Sequence, residues 1–234
     1  MVLSSGIEIA HGSNDSVRIA TLEEQEAKLV AVRALSIPAP ITTVRACLEE
    51  FENDSVQRLL LRYGGADVLP SGWREGPDSH GVKVVYGEVA GSDWYTMRTT
   101  GKLRVSAAKA AKILMAADMI PKFDDMTKEV KLLERLSEAT EVRLVSAKSI
   151  MFTSARDFCV ASTGHQKGYV RALIYISGYV VTPDPQDPNA CELAVVAHMD
   201  LGGNLPAMVV RYLGLSAPIK LVQKIEEVTR AVRS

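Results

Sequence analysis

The stretch Cys191-Glu192-Leu193-Ala194-Val195-Val196-Ala197-His198-Met199-Asp200-Leu201-Gly202-Gly203-Asn204-Leu205-Pro206 decides the fold. Its first part is rich in β-branched and small apolar residues and predicts a strand from Cys191 to Met199. Asp200 closes the strand, Gly202-Gly203 allow a sharp turn, and Pro206 falls in the first helical turn, where its missing N–H costs nothing. Asn204 to Val232 then reads as a long C-terminal helix with Leu205, Met208, Val209, Tyr212 and Leu213 on one stripe. Pro218 should kink or restart that helix. A strand running directly into such a helix lets the helix fold back over its own sheet.

Working outward, Arg156 to Ser162 and Tyr169 to Thr182 read as further strands, and Pro183 to Asn189 as a rigid surface loop. Val130 to Leu136 and Glu141 to Ala147 are two more strands. A short helical turn is expected around Pro121 to Met126, and Ser106 caps an Ala-rich helix over Ala107 to Ala117. Val82 to Val89, the turn Gly91-Ser92-Asp93, and Trp94 to Val105 form an antiparallel pair. Nearer the start, Val44, Cys47, Leu48, Phe51, Val56, Leu59, Leu60 and Tyr63 recur near the 3.6 period until Gly64-Gly65 stops the helix. Thr21 and Glu24 make a capping box for a helix from about Leu22 to Leu35. Residues 1–16 have no periodicity and read as a flexible leader ahead of one domain over 17–234. Helices at both ends of an antiparallel sheet give the α+β class.

Composition narrows the function. The 234 residues are 47% apolar, enough to bury a sizeable core, and Lys+Arg against Asp+Glu leave a net charge of −1. That removes the basic excess needed to bind a phosphate backbone, so nucleic acid is not an expected partner. A monomer is expected. Apolar runs such as Leu193 to Ala197 fall far short of the roughly 20 residues that span a bilayer. The two ends carry no recognised targeting signal, which predicts a cytoplasmic address. Cys47, Cys159 and Cys191 lack metal-ligand spacing and read as small buried hydrophobes.

Catalytic chemistry has no visible home in this chain. His11, His80, His165 and His198 pair with no second ligand at metal spacing, and His198 reads as a satisfied core or rim histidine. The carboxylate pairs Glu23/Glu24, Glu49/Glu50, Asp124/Asp125 and Glu226/Glu227 read as solvated helix surfaces. Gly64-Gly65 and Gly202-Gly203 lack the Lys or third Gly of a phosphate loop. No enzyme activity, metal or cofactor is expected.

Three segments in order, Ser154-Ala155-Arg156-Asp157-Phe158, Val170-Arg171-Ala172 and Asp200-Leu201-Gly202-Gly203-Asn204-Leu205-Pro206, resemble the steroidogenic-acute-regulatory-related lipid transfer (START) family. Gly72-Trp73, Gly81 to Tyr86 and Lys128 to Leu133 support the likeness, which covers roughly residues 17–232. The resemblance implies a helix-grip fold, in which a curved antiparallel sheet wraps a long C-terminal helix behind N-terminal helices and encloses an apolar tunnel for one lipid, sterol or phospholipid. It implies Val195, Ala197 and Met199 on the tunnel wall, facing Leu205, Met208, Val209 and Tyr212. It also places Met151 and Phe152 in a gating loop that touches membranes transiently, with the protein peripheral at membranes. Arg156 and Asp157 read as structural ties.

Two departures from the family pattern bear on this reading. Only Phe158 to Tyr169 separate Asp157 from Val170, where the family has an additional strand. Deleting a strand from an antiparallel meander reverses everything after it. In the cholesterol-carrying branch a cavity acid faces an arginine, and the matching positions here are Arg143 and Ser162, a cation in place of the acid. Family register puts Arg143, Val145 and Ala147 on the cavity face, where Arg143 would meet a polar headgroup or a nearby carboxylate. Alternation alone equally permits Val142 and Leu144 to be the buried set. The leading expectation is a lipid-binding and lipid-transfer protein without chemistry. The alternatives are a lipid-gated regulatory module and, third, a helix-grip enzyme, which would need an acid/base pair in the cavity.

Overall fold

Nearly continuous apolar runs such as Leu193 to Ala197 leave the central strands apolar on both faces, and helices pack against each. The computed structural model describes residues 2–5, 29–31, 41–149, 155–158, 169–202, 205 and 207–232. In chain order the elements are β1 (Val2–Ser5), β2 (Leu29–Ala31), α1 (Ile41–Ala46), α2 (Leu48–Gly64), β3 (Leu69–Ser79), β4 (Val82–Glu88) and β5 (Thr96–Leu103). There follow α3 (Ala107–Met115), α4 (Ile120–Phe123), β6 (Thr127–Arg135), β7 (Thr140–Ala147), β8 (Ala155–Phe158), β9 (Tyr169–Pro183), β10 (Cys191–Asp200), α5 (Ala207–Leu215) and α6 (Ala217–Ala231).

One sheet runs β7-β8-β9-β10-β5-β4-β3, with β6 on the outer side of β7, β1 beside the start of β7, and β2 beside the end of β9. The path does not close on itself. Every pairing among the described residues is antiparallel except β8 with β9. Residues 159–168 between them lie outside the described residues. The resemblance implied a reversal of everything after a missing strand; because β9 lies beside β8 in the same direction, β10 and the C-terminal helices keep the direction an additional strand would have given them.

Several expectations need correction. Leu29–Ala31 lie on β2 against Tyr179–Val181 and not in a helix, because Leu-Val-Ala beside the long β9 satisfies a strand edge. Val2–Ser5 of the expected leader pair with Thr140–Arg143 as β1. Leu69–Ser79 form β3, a strand hidden in the sequence by Pro70, Gly72, Gly76 and Pro77. The expected single helix around Val44 to Tyr63 is broken at Cys47, which is exposed; Cys191 is buried as expected, and Cys159 lies outside the described residues.

Other signals hold. Ser106 caps α3, accepting from the Lys109 N–H at 3.4 Å. Gly65 takes the left-handed conformation, φ 83°, that ends α2. The C-terminal helix breaks at Ser216 and restarts as α6, with Pro218 in its first turn.

Candidate functional site

The two faces of β10 do different work. Ala194 and Val196 face outward and, with Ile176 and Val180 of β9, pack against Val56 and Leu59 of α2. Gly178 lets α2 approach, since a Cβ there would meet Leu59 Cδ2 at 2.6 Å. The inward residues Leu193 and Val195 face the C-terminal helices.

Along that inner face the rungs change character. The rung of Gly101, Leu193 and Val181 is filled by α6: Val222 is fully buried there, and a Cβ on Gly101 would stand 2.6 Å from its Cγ1. Leu103, Cys191 and α3 complete this solid end. The next rung, Thr99-Val195-Tyr179, and the one after it, Met97-Ala197-Ser177, border empty space. A cavity of about 510 Å³ opens there between the sheet and α5–α6. This is a volume in the range of small-molecule sites.

The roof of the cavity comes from Val210, Tyr212, Leu213 and Gly214 of α5 and from Ala217, Pro218 and Leu221 of α6. Val145 and Ala147 of β7 and Phe123 of α4 close one side, and Tyr86, Trp94 and Tyr95 the other. A bulge between His198 and Met199 shifts the register, so Met199 pairs with Ile174 and both face the cavity. Ionisable lining groups among the described residues are Asp124, Asp125 and Lys220. Asp124 is committed, accepting from the Met126 N–H at 3.0 Å and the Thr127 hydroxyl at 2.6 Å, and so is not the solvated surface carboxylate expected. Lys220 is exposed and sits 5.3 Å above the Tyr212 ring.

The predicted wall residues Val195, Ala197, Met199, Val145 and Tyr212 all border the cavity. Leu205 is half-buried, and Val209 is fully buried; neither is part of the lining, where Val210 and Leu213 stand instead. Met208 is on α5, but its side chain lies outside the described residues, as do Met151 and Phe152. Arg143 shares the inward face with Val145 but points elsewhere. Its guanidinium donates to Glu141 at 2.7 Å and to the Met115 carbonyl at 3.0 Å, so the partner its burial demands is a protein carboxylate. Both candidate sets on β7 are buried in part, since Val142 packs under α1 and α2 while Val145 faces the cavity.

The sequence reading missed the aromatic rim and the tie that holds it. Arg62 of α2 donates to His198 Nδ1 at 2.9 Å, which leaves the proton on Nε2. Nε2 then reaches the Trp94 carbonyl at 3.1 Å and Ser92 Oγ at 2.9 Å, fixing the β4–β5 loop that carries Trp94 into the lining. Asp67 holds Arg62 at 2.8 Å, and Tyr175 stacks on the imidazole, centroids 4.6 Å apart. Burial, and after it the Arg62 charge, push His198 down to about 4. The only sequence signal was the even-numbered outward alternation of β10.

An open sheet gripping a C-terminal helix over an apolar cavity is a known architecture. Residues 159–230 match the START domain family model. Human StAR-related lipid transfer protein 5 superposes with a TM-score of 0.67 at 16% identity, over 81% of this chain and 98% of that one. The fold is that of a START domain. Human STARD10 gives a TM-score of 0.60 at 19% identity, covering 72% of this chain and 77% of that one. A STAR-related lipid transfer protein fragment from Xanthomonas axonopodis gives 0.56 at 19% identity, covering 68% and 99%. No curated protein matches this chain. No helix among the described residues is long and apolar enough to cross a membrane.

Proposed function

We propose that this START domain holds one lipid in the cavity between β10 and α5–α6 and carries it between membranes without chemical change. The observation that carries this reading is the interruption of the inner face: apolar side chains that could have met across the core instead border about 510 Å³ of space. Protein interiors rarely leave such a volume unfilled unless something occupies it. The names of the superposed proteins point the same way.

Energetically the protein has to match the bilayer and need not beat it. Burying an acyl chain is worth about 0.8 kcal/mol per methylene, and leaving the bilayer costs the same. A carrier therefore supplies a dry path and changes a rate. Val195, Ala197, Met199, Val145 and Tyr212 are the side chains assigned to contact the lipid. Native mass spectrometry of protein purified from cells, followed by lipid extraction, tests the reading. One lipid per chain is expected, together with catalysed exchange of that lipid between vesicles. Protein that is empty and accelerates no exchange overturns it.

A further inference from the structure

The outer face of the sheet is tied to the rim of the cavity through a buried arginine. Arg62, in the last turn of α2, is 7% exposed, and His198, near the end of β10, is 3% exposed. The sheet pins α2 at this point. From β5 the Arg98 guanidinium donates to the Tyr63 carbonyl at 2.6 Å and lies between the rings of Tyr63 and Trp73, 5.4 and 5.1 Å from their centroids. Asp67 grips Arg62 Nε with both carboxylate oxygens at 2.8 Å. Arg62 is therefore a fixed donor.

That donor decides the state of the imidazole. A guanidinium has no lone pair to offer, so His198 Nδ1 accepts from it at 2.9 Å and the ring proton resides on Nε2. Nε2–H then meets the Trp94 carbonyl at 3.1 Å and the Ser92 hydroxyl at 2.9 Å, while Tyr175 of β9 stacks on the ring and keeps its plane. With the proton on Nδ1 instead, a bare Nε2 lone pair would face the Trp94 carbonyl, and the hold on the β4–β5 loop would be lost. Trp94 and Tyr95 both border the cavity, and Tyr95 meets Tyr86, another wall residue, edge-on at 5.7 Å.

We propose that Arg62 is a positioning residue for the cavity rim: from the outer face of the sheet it holds His198 in the Nε2–H tautomer, keeps Trp94 and Tyr95 in the wall, and so slows the passage of lipid in and out. The proposal rests on the lipid-binding reading above and adds that the exchange rate is set on the face of the sheet away from the lipid. The cavity lining includes neither Arg62 nor His198. Their tie should therefore act on entry and exit together and leave the affinity, which is the ratio of the two rates, in place.

Stopped-flow mixing with Nile red, an apolar dye that stands in for the natural lipid, reads both rates. In Arg62→Met, dye entry and exit should each accelerate about three- to tenfold, the scale of one lost hydrogen bond, while Kd moves less than about twofold. Arg62→Lys, which keeps a cationic donor on a long stem, should recover most of the wild-type rates. Nitrogen NMR of the imidazole should show Nε2–H in the wild type and in Arg62→Lys, and mixed tautomers in Arg62→Met. Amide exchange of residues 91–95 should rise along with the mixing. Ser92→Ala, which removes one of the two loop partners of Nε2, should accelerate the dye in the same direction but by less. An Arg62→Met protein that melts earlier yet exchanges dye at the wild-type rate per folded molecule would reduce Arg62 to a tie that only stabilises, and would overturn the proposal while lipid binding stands. An unchanged His198 tautomer in that variant, or no recovery in Arg62→Lys, would do the same. Should Arg62→Met fail to fold, Ser92→Ala decides, and wild-type rates in it overturn the proposal. Wild-type protein that takes up no Nile red overturns the lipid-binding reading and the proposal with it.

Discussion

The inner face of the sheet has two ends, both largely apolar. At one, Leu103, Val181, Cys191 and Leu193 meet α3 and α6 as a solid core. At the other, Met97, Ala197, Ser177 and Met199 meet α5 across a gap. Ala197 and Ser177 are smaller than their counterparts at the solid end, but Met97 and Met199 are long apolar side chains that could have filled the gap. What also differs is the helix opposite: α6 is brought close enough that only a glycine fits at position 101, whereas α5 is set off by the break at Ser216 and Pro218. A cavity arises here from where a helix restarts.

The sharpest way to break this comparison is to remove volume from the solid end. Leu193 is fully buried in the core against α6, and Leu193→Ala should cost about 3–5 kcal/mol, partly transfer and partly cavity. Denaturant melts would measure this, with lipid uptake per folded molecule unchanged. A loss below about 1 kcal/mol would mean that this end, too, is loosely filled.

Acid should act on the rim of the open end. His198 is neutral in the folded state, pushed down to about 4, but titrates at its ordinary 6.5 when unfolded. Because the unfolded chain binds the proton more tightly, stability contributed by neutral His198 is intact above pH 6.5. It is lost as pH falls from 6.5 to 4, by up to about 3 kcal/mol. His198→Gln should flatten that slope. An unchanged slope in the variant would assign the acid loss to other groups.

Much of this architecture was legible in the sequence for identifiable reasons. Asp200 ends β10, Gly202 takes the left-handed conformation (φ 64°) just after it, and Pro218 announces the break that makes the cavity. The family resemblance implied Val195, Ala197 and Met199 on the tunnel wall; all three border the cavity, Met199 through a bulge that simple alternation does not show. Strand β3 was hidden by its prolines and glycines, and β2 by a capping signal that competed with a three-residue edge. On α5 the predicted stripe shares Tyr212 and Leu213 with the lining, but Val210 stands there and Val209 does not, because a helical stripe does not say which of its margins faces the sheet. The tie between Arg62, His198 and Ser92 joins three distant segments, and no local pattern encodes it.

Arg143 tests whether the side of the cavity is electrostatically closed. Arg143→Met leaves Glu141 with only the exposed Arg135 at 2.5 Å, and should destabilise the protein by about 1–3 kcal/mol. Affinities for anionic and uncharged lipids should change equally in the folded fraction. A selective loss for anionic lipid would restore a headgroup role to this arginine.

Ala197→Trp sharpens the contrast from the open end. The added ring has space to enter, so stability should change by less than about 1.5 kcal/mol, whereas an indole forced into a packed core costs more. Lipid binding should be abolished because the ring occupies the lipid's volume. Unfolding would show the cavity to be smaller than the structure makes it, and normal binding would remove Ala197 from its wall.

The smallest effect is expected at Cys191, and its smallness is informative. The thiol lies in the solid end, where burial pushes it up to about 11. At pH 8 only about one molecule in a thousand carries the thiolate, the reactive form, and access requires opening. Exposed Cys47 should therefore react with a thiol reagent at once and Cys191 only on unfolding. Mass mapping of the labelled protein distinguishes the two sites. If the ends are independent, loading the open end with lipid slows Cys191 labelling only as far as it slows global unfolding, and denaturant should raise both rates together. Protection of Cys191 beyond that global factor would mean that α6 loosens when the cavity is empty. The solid end would then owe its solidity to the ligand beside it.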